Sequence, residues 1–306
     1  MSKGFELNCG GKLLDLSRPR VMGVLNVTPD SFYAGSRCSS LDHTLQRAED
    51  MINSGADILD VGGESTSKMV QRFGYVGDNN RYVGGQLAEQ DQADTASCQQ
   101  ELERVIPVVE ALAKRFDCVV SVDTSSALAI KEAALAGAGM INDIRALQRP
   151  GALDAAAATE LPVILMHSLI DHPEPGFVPH YNDVMTEVLD YLKERVQCCE
   201  QVGIDKQRLI IDPGFGGGLF GKNPGYDLSM LKHFEGFHEL DLPVLAGMSR
   251  KSFIGATLNK GPDERLAGSL AVALMAVQAG AHILRVHDVA ETCDILRMVE
   301  AVRMAV

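Results

Sequence analysis

Leu-Pro-Val-Leu-Ala-Gly-Met-Ser-Arg-Lys-Ser-Phe-Ile-Gly, Leu242 to Gly255, holds in one stretch the pattern on which the fold is read. An apolar run, Leu242 to Leu245, is short enough for a buried strand. A turn carrying Ser249, Arg250 and Lys251 follows it, and a small-residue helix follows the turn. A Lys ammonium and an Arg fork stay charged at neutral pH and carry only donors, so this turn is suited to an anion or to the polar edge of a flat ring. Taken alone, it reads more plainly as a solvated basic turn. The same order of apolar run, polar exit and helix recurs along the chain, and that changes the reading.

Working outward, Val21 to Leu25 ends at Asn26 and leads to a helical pattern from Leu41 to Ser54. Asp57 to Val61 leads to a helix around Gln99 to Arg115, Cys118 to Val122 to one from Ser125 to Ala136, and Met140 with Ile141 to an Ala-rich helix from Gly151. Leu161 to Met166 precedes a long helix from Tyr181 to Val202, and Arg208 to Ile211 a weaker one around Tyr226 to Phe234. Leu242 to Leu245 precedes Glu264 to Gln278, and Ala281 to Val286 a closing helix from Val289. Short runs that are apolar on both faces belong to an all-parallel sheet covered by helices. Eight such units predict a single-domain α/β protein, a (β/α)8 TIM barrel over 1–306, whose site lies on loops at the C-terminal ends of its strands. A doubly wound open sheet would carry a Gly-rich dinucleotide turn on its first unit, and none is present. One segment, at about 67–97, breaks the rhythm: Gly74, Gly77, Gly84 and Gly85 with little periodicity predict a long loop insert after the second strand. Phe5 to Leu14, turning at Gly10 and Gly11, suits a small hairpin at the barrel base.

Composition narrows the classes. The chain has 306 residues, 46% hydrophobic and 23% charged, as expected of a globular protein with a large core. A formal net charge of −13 repels polyanions and argues against general nucleic-acid binding. The seven cysteines, Cys9, Cys38, Cys98, Cys118, Cys198, Cys199 and Cys293, show no Cys-x-x-Cys spacing and fit free thiols in a reducing compartment. Met1 to Leu16 has no apolar leader core, and no segment approaches the roughly 18 uninterrupted apolar residues of a membrane span, so a cytoplasmic protein is expected. His172, His180, His233 and His238 show no metal-ligand spacing.

A closed barrel brings its strand exits to one rim. Asn26, Asp123, Asn142, Met166 with His167, Asp212, Ser249 to Lys251, and Arg285 with His287 then converge. Asp123, Asn142 and Asp212 are suited to reading the N–H groups of a flat heterocycle, with Met166 on its face. Each has a plainer reading: Asp123 as a helix cap, Asp212 before Pro213 as a turn former. An amide at Asn26 suits Mg²⁺, which shares oxygen ligands with substrate phosphates, and is otherwise an ordinary Asn/Pro/Asp turn. Arg285 and His287, on the strand next to the first, are cations placed for a departing diphosphate.

Seven segments in register carry a resemblance: Asn-Val-Thr-Pro-Asp-Ser-Phe (Asn26 to Phe32), Asp-Val-Gly-Gly-Glu-Ser-Thr (Asp60 to Thr66), Ser-Val-Asp-Thr-Ser (Ser121 to Ser125), Ile-Asn-Asp-Ile (Ile141 to Ile144), Asp-Pro-Gly-Phe-Gly (Asp212 to Gly216), Met-Ser-Arg-Lys-Ser (Met248 to Ser252) and Arg-Val-His-Asp (Arg285 to Asp288). From about Arg20 onward the chain resembles the dihydropteroate synthase family. The resemblance implies a folate-pathway transferase that joins 6-hydroxymethyl-7,8-dihydropterin diphosphate to p-aminobenzoate and releases diphosphate, with Mg²⁺ as cofactor and a homodimer as the assembly. It implies pterin contacts from Asp123, Asn142, Asp212 and Lys251, with Ile144 and Met166 as walls. Asn26 becomes the metal-linked position, and Arg285 and His287 the diphosphate binders; with Lys251 these are the implied catalytic groups. Thr66, Phe32, Ser252 and the loop residues Phe215, Gly216 and Phe220 are implied on the substrate side toward p-aminobenzoate, with Arg250 beside them. The implied mechanism is dissociative, diphosphate leaving before the aniline nitrogen attacks. That agrees with the absence of a Ser/His or Cys/His nucleophile pair.

Three loops depart from the family pattern. Tyr33, Ala34 and Gly35 follow Phe32 where the family has Ser-Asp-Gly, and Ser67, Lys68 and Met69 stand where it has Arg-Pro-Gly. Gly217, Gly218 and Leu219 intervene before Phe220. These changes lead to an expectation of reduced sulfonamide sensitivity. They also leave open an alternative, a non-catalytic pterin-binding relative acting as a regulatory or assembly partner, and a third reading as a barrel methyltransferase using a methylated pterin.

Overall fold

The structure, a computed structural model, describes residues 4–27, 37–63, 75–76, 81–82, 90–169, 179–217 and 220–305. Eight parallel strands form the barrel wall: β3 (Arg20–Asn26), β4 (Ile58–Gly62), β7 (Val119–Asp123), β8 (Met140–Asp143), β9 (Val163–Met166), β10 (Leu209–Asp212), β11 (Leu245–Ala246) and β12 (Ile283–Val286). Their order runs β10, β9, β8, β7, β4, β3, β12, β11, and a parallel bridge from Ile211 to Val244 joins the two ends of that row into a barrel. Around it lie α1 (Arg37–Ser54), α2 (Gln90–Arg115), α3 (Ala127–Leu135), α4 (Ala152–Thr159), α5 (Val184–Gln201), α6 (Pro224–Lys232), α7 (Ser252–Leu258), α8 (Leu266–Gln278) and α9 (Val289–Met304). The (β/α)8 architecture expected from the alternation of runs is the one observed.

Strand parity explains both layers of the core. Met22, Ile58, Val119, Met140, Ile164, Ile210, Leu245 and Ile283, one from each barrel strand, form a single buried cluster inside the wall. Their immediate neighbours, among them Leu59, Val120, Ile141, Leu165, Ile211 and Leu284, belong to a second cluster beneath the helices. Successive side chains on a strand point to opposite faces, so runs apolar at every position are required where both faces are covered.

The expected hairpin is present and seals the floor: β1 (Glu6–Cys9) pairs antiparallel with β2 (Lys12–Asp15). Leu7, Cys9, Leu14 and Leu16 join the inner cluster, and Lys12 ties the hairpin to β7 by donating from Nζ to the Cys118 carbonyl at 3.0 Å. At the same end Asp57 accepts from Arg20 Nη1 at 2.9 Å and from the Val21 amide at 3.0 Å.

Two boundaries differ from the sequence reading. α2 begins at Gln90, inside the expected insert, and within the same segment β5 (Tyr75–Val76) pairs antiparallel with β6 (Arg81–Tyr82). Strand exits also fall later than the apolar runs suggest. Asn26, Asp123 and Asp212 are the last residues of their strands, because backbone pairing continues past the last apolar side chain. The Phe32 and Thr66 expectations and the altered segments at Tyr33 to Gly35, Ser67 to Met69, and Gly218 with Leu219 lie outside the described residues, as does His172.

The hairpin separates burial from position in the chain. Leu7 is 2% exposed and Leu13 69%. Leu7→Ala is expected to lower unfolding free energy by roughly 2–5 kcal/mol, and Leu13→Ala by less than about 0.5 kcal/mol. Urea titration of the purified protein compares them, and equal losses would remove the floor-plug assignment.

Candidate active site

Parity places the polar residues as it places the floor. Two positions along from the inner apolar layer stand Asp60 after Ile58, Ser121 after Val119, Asn142 after Met140, Met166 after Ile164, Asp212 after Ile210, Gly247 after Leu245 and Arg285 after Ile283. All face the barrel interior one tier nearer the strand exits. A Cβ on Gly247 would lie 3.6 Å from Asp212 Oδ2, as that placement requires.

Arg285 joins this tier together. Its Nε donates to Asp60 Oδ2 at 2.7 Å and its Nη2 to Asp123 Oδ2 at 2.8 Å. Asn142 Nδ2 donates to the same Asp60 oxygen at 3.0 Å. The pairing of Asp123 with Asn142 across β7 and β8, and of Asp212 with Met166 across β10 and β9, fixes four expected site residues in adjacent register. Asp60 Oδ1 is buried and has no hydrogen-bond partner among the described residues. A buried acceptor of this kind is costly unless something donates to it.

The titration of these groups follows from their burial. Burial raises Asp123 to about 7, with the Arg285 cation opposing the shift and Asp60 adding to it. Asp212 is also raised by burial, against the Gly214 amide and the Lys251 charge. Lys251 is lowered to about 8, first by burial and then by Arg285, while Asp212, Asp227 and Asp123 hold it up. Lys251 therefore lies within electrostatic reach of the whole tier, and its Nζ sits 4.0 Å from the centre of the Phe220 ring. The sequence reading brought Asp123, Asn142, Asp212 and Lys251 to one place, and the structure does the same.

The plainer readings resolve individually. Asp123 is no helix cap: Ser126 caps α3, its Oγ accepting from the Ala129 amide. Asp212 does form a turn, accepting from the Gly214 amide at 2.7 Å through Oδ1. Its Oδ2 accepts no hydrogen bond from a described residue. Asn26 ends β3 at the mouth, and its amide has no described side-chain partner. Ile144 is half-buried just beyond β8, and Ser252 opens α7.

Three assignments change. Phe215 does not line the tier. It is buried in the outer core, its ring stacked 6.3 Å from Phe234 and tilted against Phe253, because Gly214 turns the chain at φ 69° and directs the next side chain outward. Arg250 is a clamp within the rim: Nε and Nη2 fork onto Asp288 at 2.9 and 2.7 Å, holding a turn in which Arg250 itself adopts φ 57°. His287 packs on Ser249, whose Oγ lies 3.2 Å from both the His287 amide and Nδ1. Desolvation at the rim and the Arg285 and Lys251 charges hold His287 below its ordinary value, so it is neutral at physiological pH and acts by hydrogen bonding, not as a cation.

Sequence reasoning passed over Asp60, Lys222 and Asp227. Asp60 precedes the strand exit by two residues, so a search limited to exits skips it, although its parity with Ile58 was readable. Lys222 is buried beside His167 and the Phe220 carbonyl, and Asp227 is buried on the first turn of α6. Among the described residues no group of three or more His, Cys, Asp or Glu side chains is placed to hold a metal ion, and no helix is long and apolar enough to cross a membrane.

The chain matches the family described as Pterin binding enzyme over residues 22–83 and 82–287. It is 50% identical over 296 residues to dihydropteroate synthase of Escherichia coli K12, covering 97% of this chain and 96% of that protein. It is 45% identical to the Haemophilus influenzae dihydropteroate synthase, covering 97% of this chain and 98% of that one. Xanthomonas albilineans dihydropteroate synthase in complex with 7,8-dihydropteroate superposes with a TM-score of 0.81 at 42% identity, over 98% of this chain and 100% of that one. The Yersinia pestis dihydropteroate synthase with a sulfonamide drug complex gives 0.81 at 47% identity, over 98% and 100%. Matches of this length, on a barrel whose polar tier converges as described, show that the chain belongs to the pterin binding enzyme family, among the dihydropteroate synthases.

Proposed function

We propose that the barrel mouth condenses 6-hydroxymethyl-7,8-dihydropterin diphosphate with p-aminobenzoate to give 7,8-dihydropteroate and diphosphate. The observation that carries the reading is the inward tier itself: Asp123, Asn142 and Asp212 bring acceptors, and Lys251 a donor, to one place. A pterin edge offers N–H groups to such acceptors and ring acceptors to a Lys donor. The relatives support it, since solved dihydropteroate synthases of this fold hold 4-aminobenzoic acid and 7,8-dihydropteroate. The non-catalytic alternative is not favoured by that company.

The reaction breaks the bond between the pterin methylene carbon and the diphosphate oxygen. It forms a bond from that carbon to the aniline nitrogen, which then loses a proton. If diphosphate leaves first, the methylene and ring carry positive charge. The tier suits that state: three carboxyl groups (Asp60, Asp123, Asp212) stand with two basic side chains (Arg285, Lys251), so its fixed acceptors can face a developing cation. Arg285 keeps Nη1 free of described partners, and with neutral His287 it faces the departing phosphates. Asn26 fits Mg²⁺ in one respect, an unengaged amide oxygen at the mouth; the remaining ligands would be diphosphate and water oxygens. When bound, the ion neutralises leaving-group charge. Phe220 and Ser252, with Thr66 and Phe32, are assigned to the p-aminobenzoate side, and weaker sulfonamide binding goes with the altered loops there.

We assign the chain to the cytoplasm as a single-domain barrel with an insert at about 67–97, acting on small molecules and not on nucleic acid or membrane. A homodimer is proposed through the last helices. On α9, Met298 and Val302 are 65% and 69% exposed and four residues apart, so they share one face. Met298→Asp with Val302→Asp is expected to give a monomer by analytical ultracentrifugation where the parent sediments as a dimer; a monomeric parent ends this assignment.

Purified protein given both substrates and Mg²⁺ is expected to form dihydropteroate. Asp123→Asn is expected to lower kcat/KM for the pterin diphosphate roughly 10- to 100-fold, the worth of a buried charge-assisted hydrogen bond. No product from the parent protein would sink the reading.

The alkaline limb of the pH profile is set by Lys251. Its donating form is the protonated one, and that form is lost as pH rises through about 8. Since kcat/KM reports the free enzyme, its alkaline limb is expected near pH 8, and Lys251→Arg should carry it beyond about 10. A parent profile flat to pH 9.5 would contradict this role.

A further inference from the structure

Behind Lys251 lies a group of buried charged side chains that the reaction does not use directly. Lys222 is 3% exposed, and its Nζ donates to the Phe220 carbonyl at 2.8 Å. The same nitrogen lies 2.8 Å from His167 Nδ1. Burial and the Lys222 charge keep His167 well below its ordinary value, so the ring is neutral, and burial in turn lowers Lys222 to about 7. Asp227 is 0% exposed and accepts from the Gly216 amide at 2.9 Å through Oδ1. It is not the cap of α6, which Asn223 supplies by accepting from the Tyr226 amide at 3.0 Å.

Both hydrogen bonds end on the same loop, at Gly216 and at Phe220. Both of these residues meet Lys251: its Nζ is 4.0 Å from the centre of the Phe220 ring, and a Cβ on Gly216 would lie 3.1 Å from its Cδ. Gly216 holds φ 118°, which a residue with a side chain rarely adopts, so the close approach depends on how that backbone is held. Removing a charged group from water is unfavourable, and an apolar residue of similar size would pack α6 at least as well. The placement of one acceptor and one donor on the loop's two ends gives these charges a positional use.

We propose that Lys222 and Asp227 are positioning residues for the pterin site: by fixing the Phe220 carbonyl and the Gly216 amide, they seat the loop against Lys251 and set where its ammonium points. This rests on the assignment of Lys251 to pterin binding above. The ligand they tune is the pterin diphosphate, which neither of them touches.

The test separates the acceptor from its charge. Asp227→Asn keeps an oxygen for the Gly216 amide, and Asp227→Ala does not. Calorimetric titration with pterin diphosphate is expected to show Kd weakened roughly 10- to 100-fold in D227A and in Lys222→Met, with D227N within about threefold of the parent. Amide hydrogen exchange of the peptide from Pro213 to Asn223, measured without ligand, should quicken about tenfold or more in D227A relative to D227N. Exchange over Val119 to Asp123 should be the same in both. Equal Kd and equal loop exchange for D227A and D227N would overturn the proposal. Should K222M not fold, the Asp227 pair decides. Should the parent bind no pterin diphosphate, the pterin reading fails on its own, and the exchange comparison still decides whether these side chains hold the loop.

Discussion

A guanidinium held between two carboxylates at the centre of a barrel is the interaction on which this site depends. Arg285 reaches from β12 to Asp60 on β4 and to Asp123 on β7, while Asn142 on β8 closes onto the same Asp60 oxygen. Burial drives Asp123 toward the neutral acid, and the neighbouring Asp60 adds to that shift. The Arg285 cation opposes that shift, and the field of the two carboxyl groups raises Arg285 above its already high ordinary value despite burial. Such a cluster is weak evidence of stability, since desolvation of its members is expensive. Its consistent use is geometric, because it fixes two carboxyl oxygens, an amide and a guanidinium relative to one another before any ligand arrives.

The barrel makes that arrangement available. Below the tier, eight apolar side chains and the hairpin fill the interior, so polar groups above them have a dry floor and one open direction. Low local dielectric then strengthens each contact that a ligand makes. The rim adds orientation: the Arg250 fork on Asp288 and the Ser249 contact with His287 hold the Met248 to Ser252 turn beside β12.

Much of this was legible before any coordinates. The eight runs, apolar at every position, required a parallel sheet covered on both faces, and Asn26, Asp123, Asn142, Asp212 and Lys251 fell where that sheet would bring them together. What misled was the rule that function sits past the strand end. Asp60 lies before it and Phe215 past it, yet Asp60 faces the barrel interior and Phe215 the outer core. Arg250 looked free because its partner, Asp288, is distant in sequence. Lys222 and Asp227 gave no signal, since a lone Lys near a Gly-rich turn and an Asp in the first turn of a helix are ordinary surface features.

The sequence alone determined the alternation of strand and helix, the barrel, and the residue types at its mouth, because hydrophobic period and turn chemistry are local and survive in a linear string. Only the tertiary structure decided which carboxylates share Arg285, which loop residues turn inward, and which charges are buried. Those outcomes depend on side-chain direction around a closed wall and on partners as far apart as Asp60 and Arg285, and neither is encoded in any single stretch of the chain.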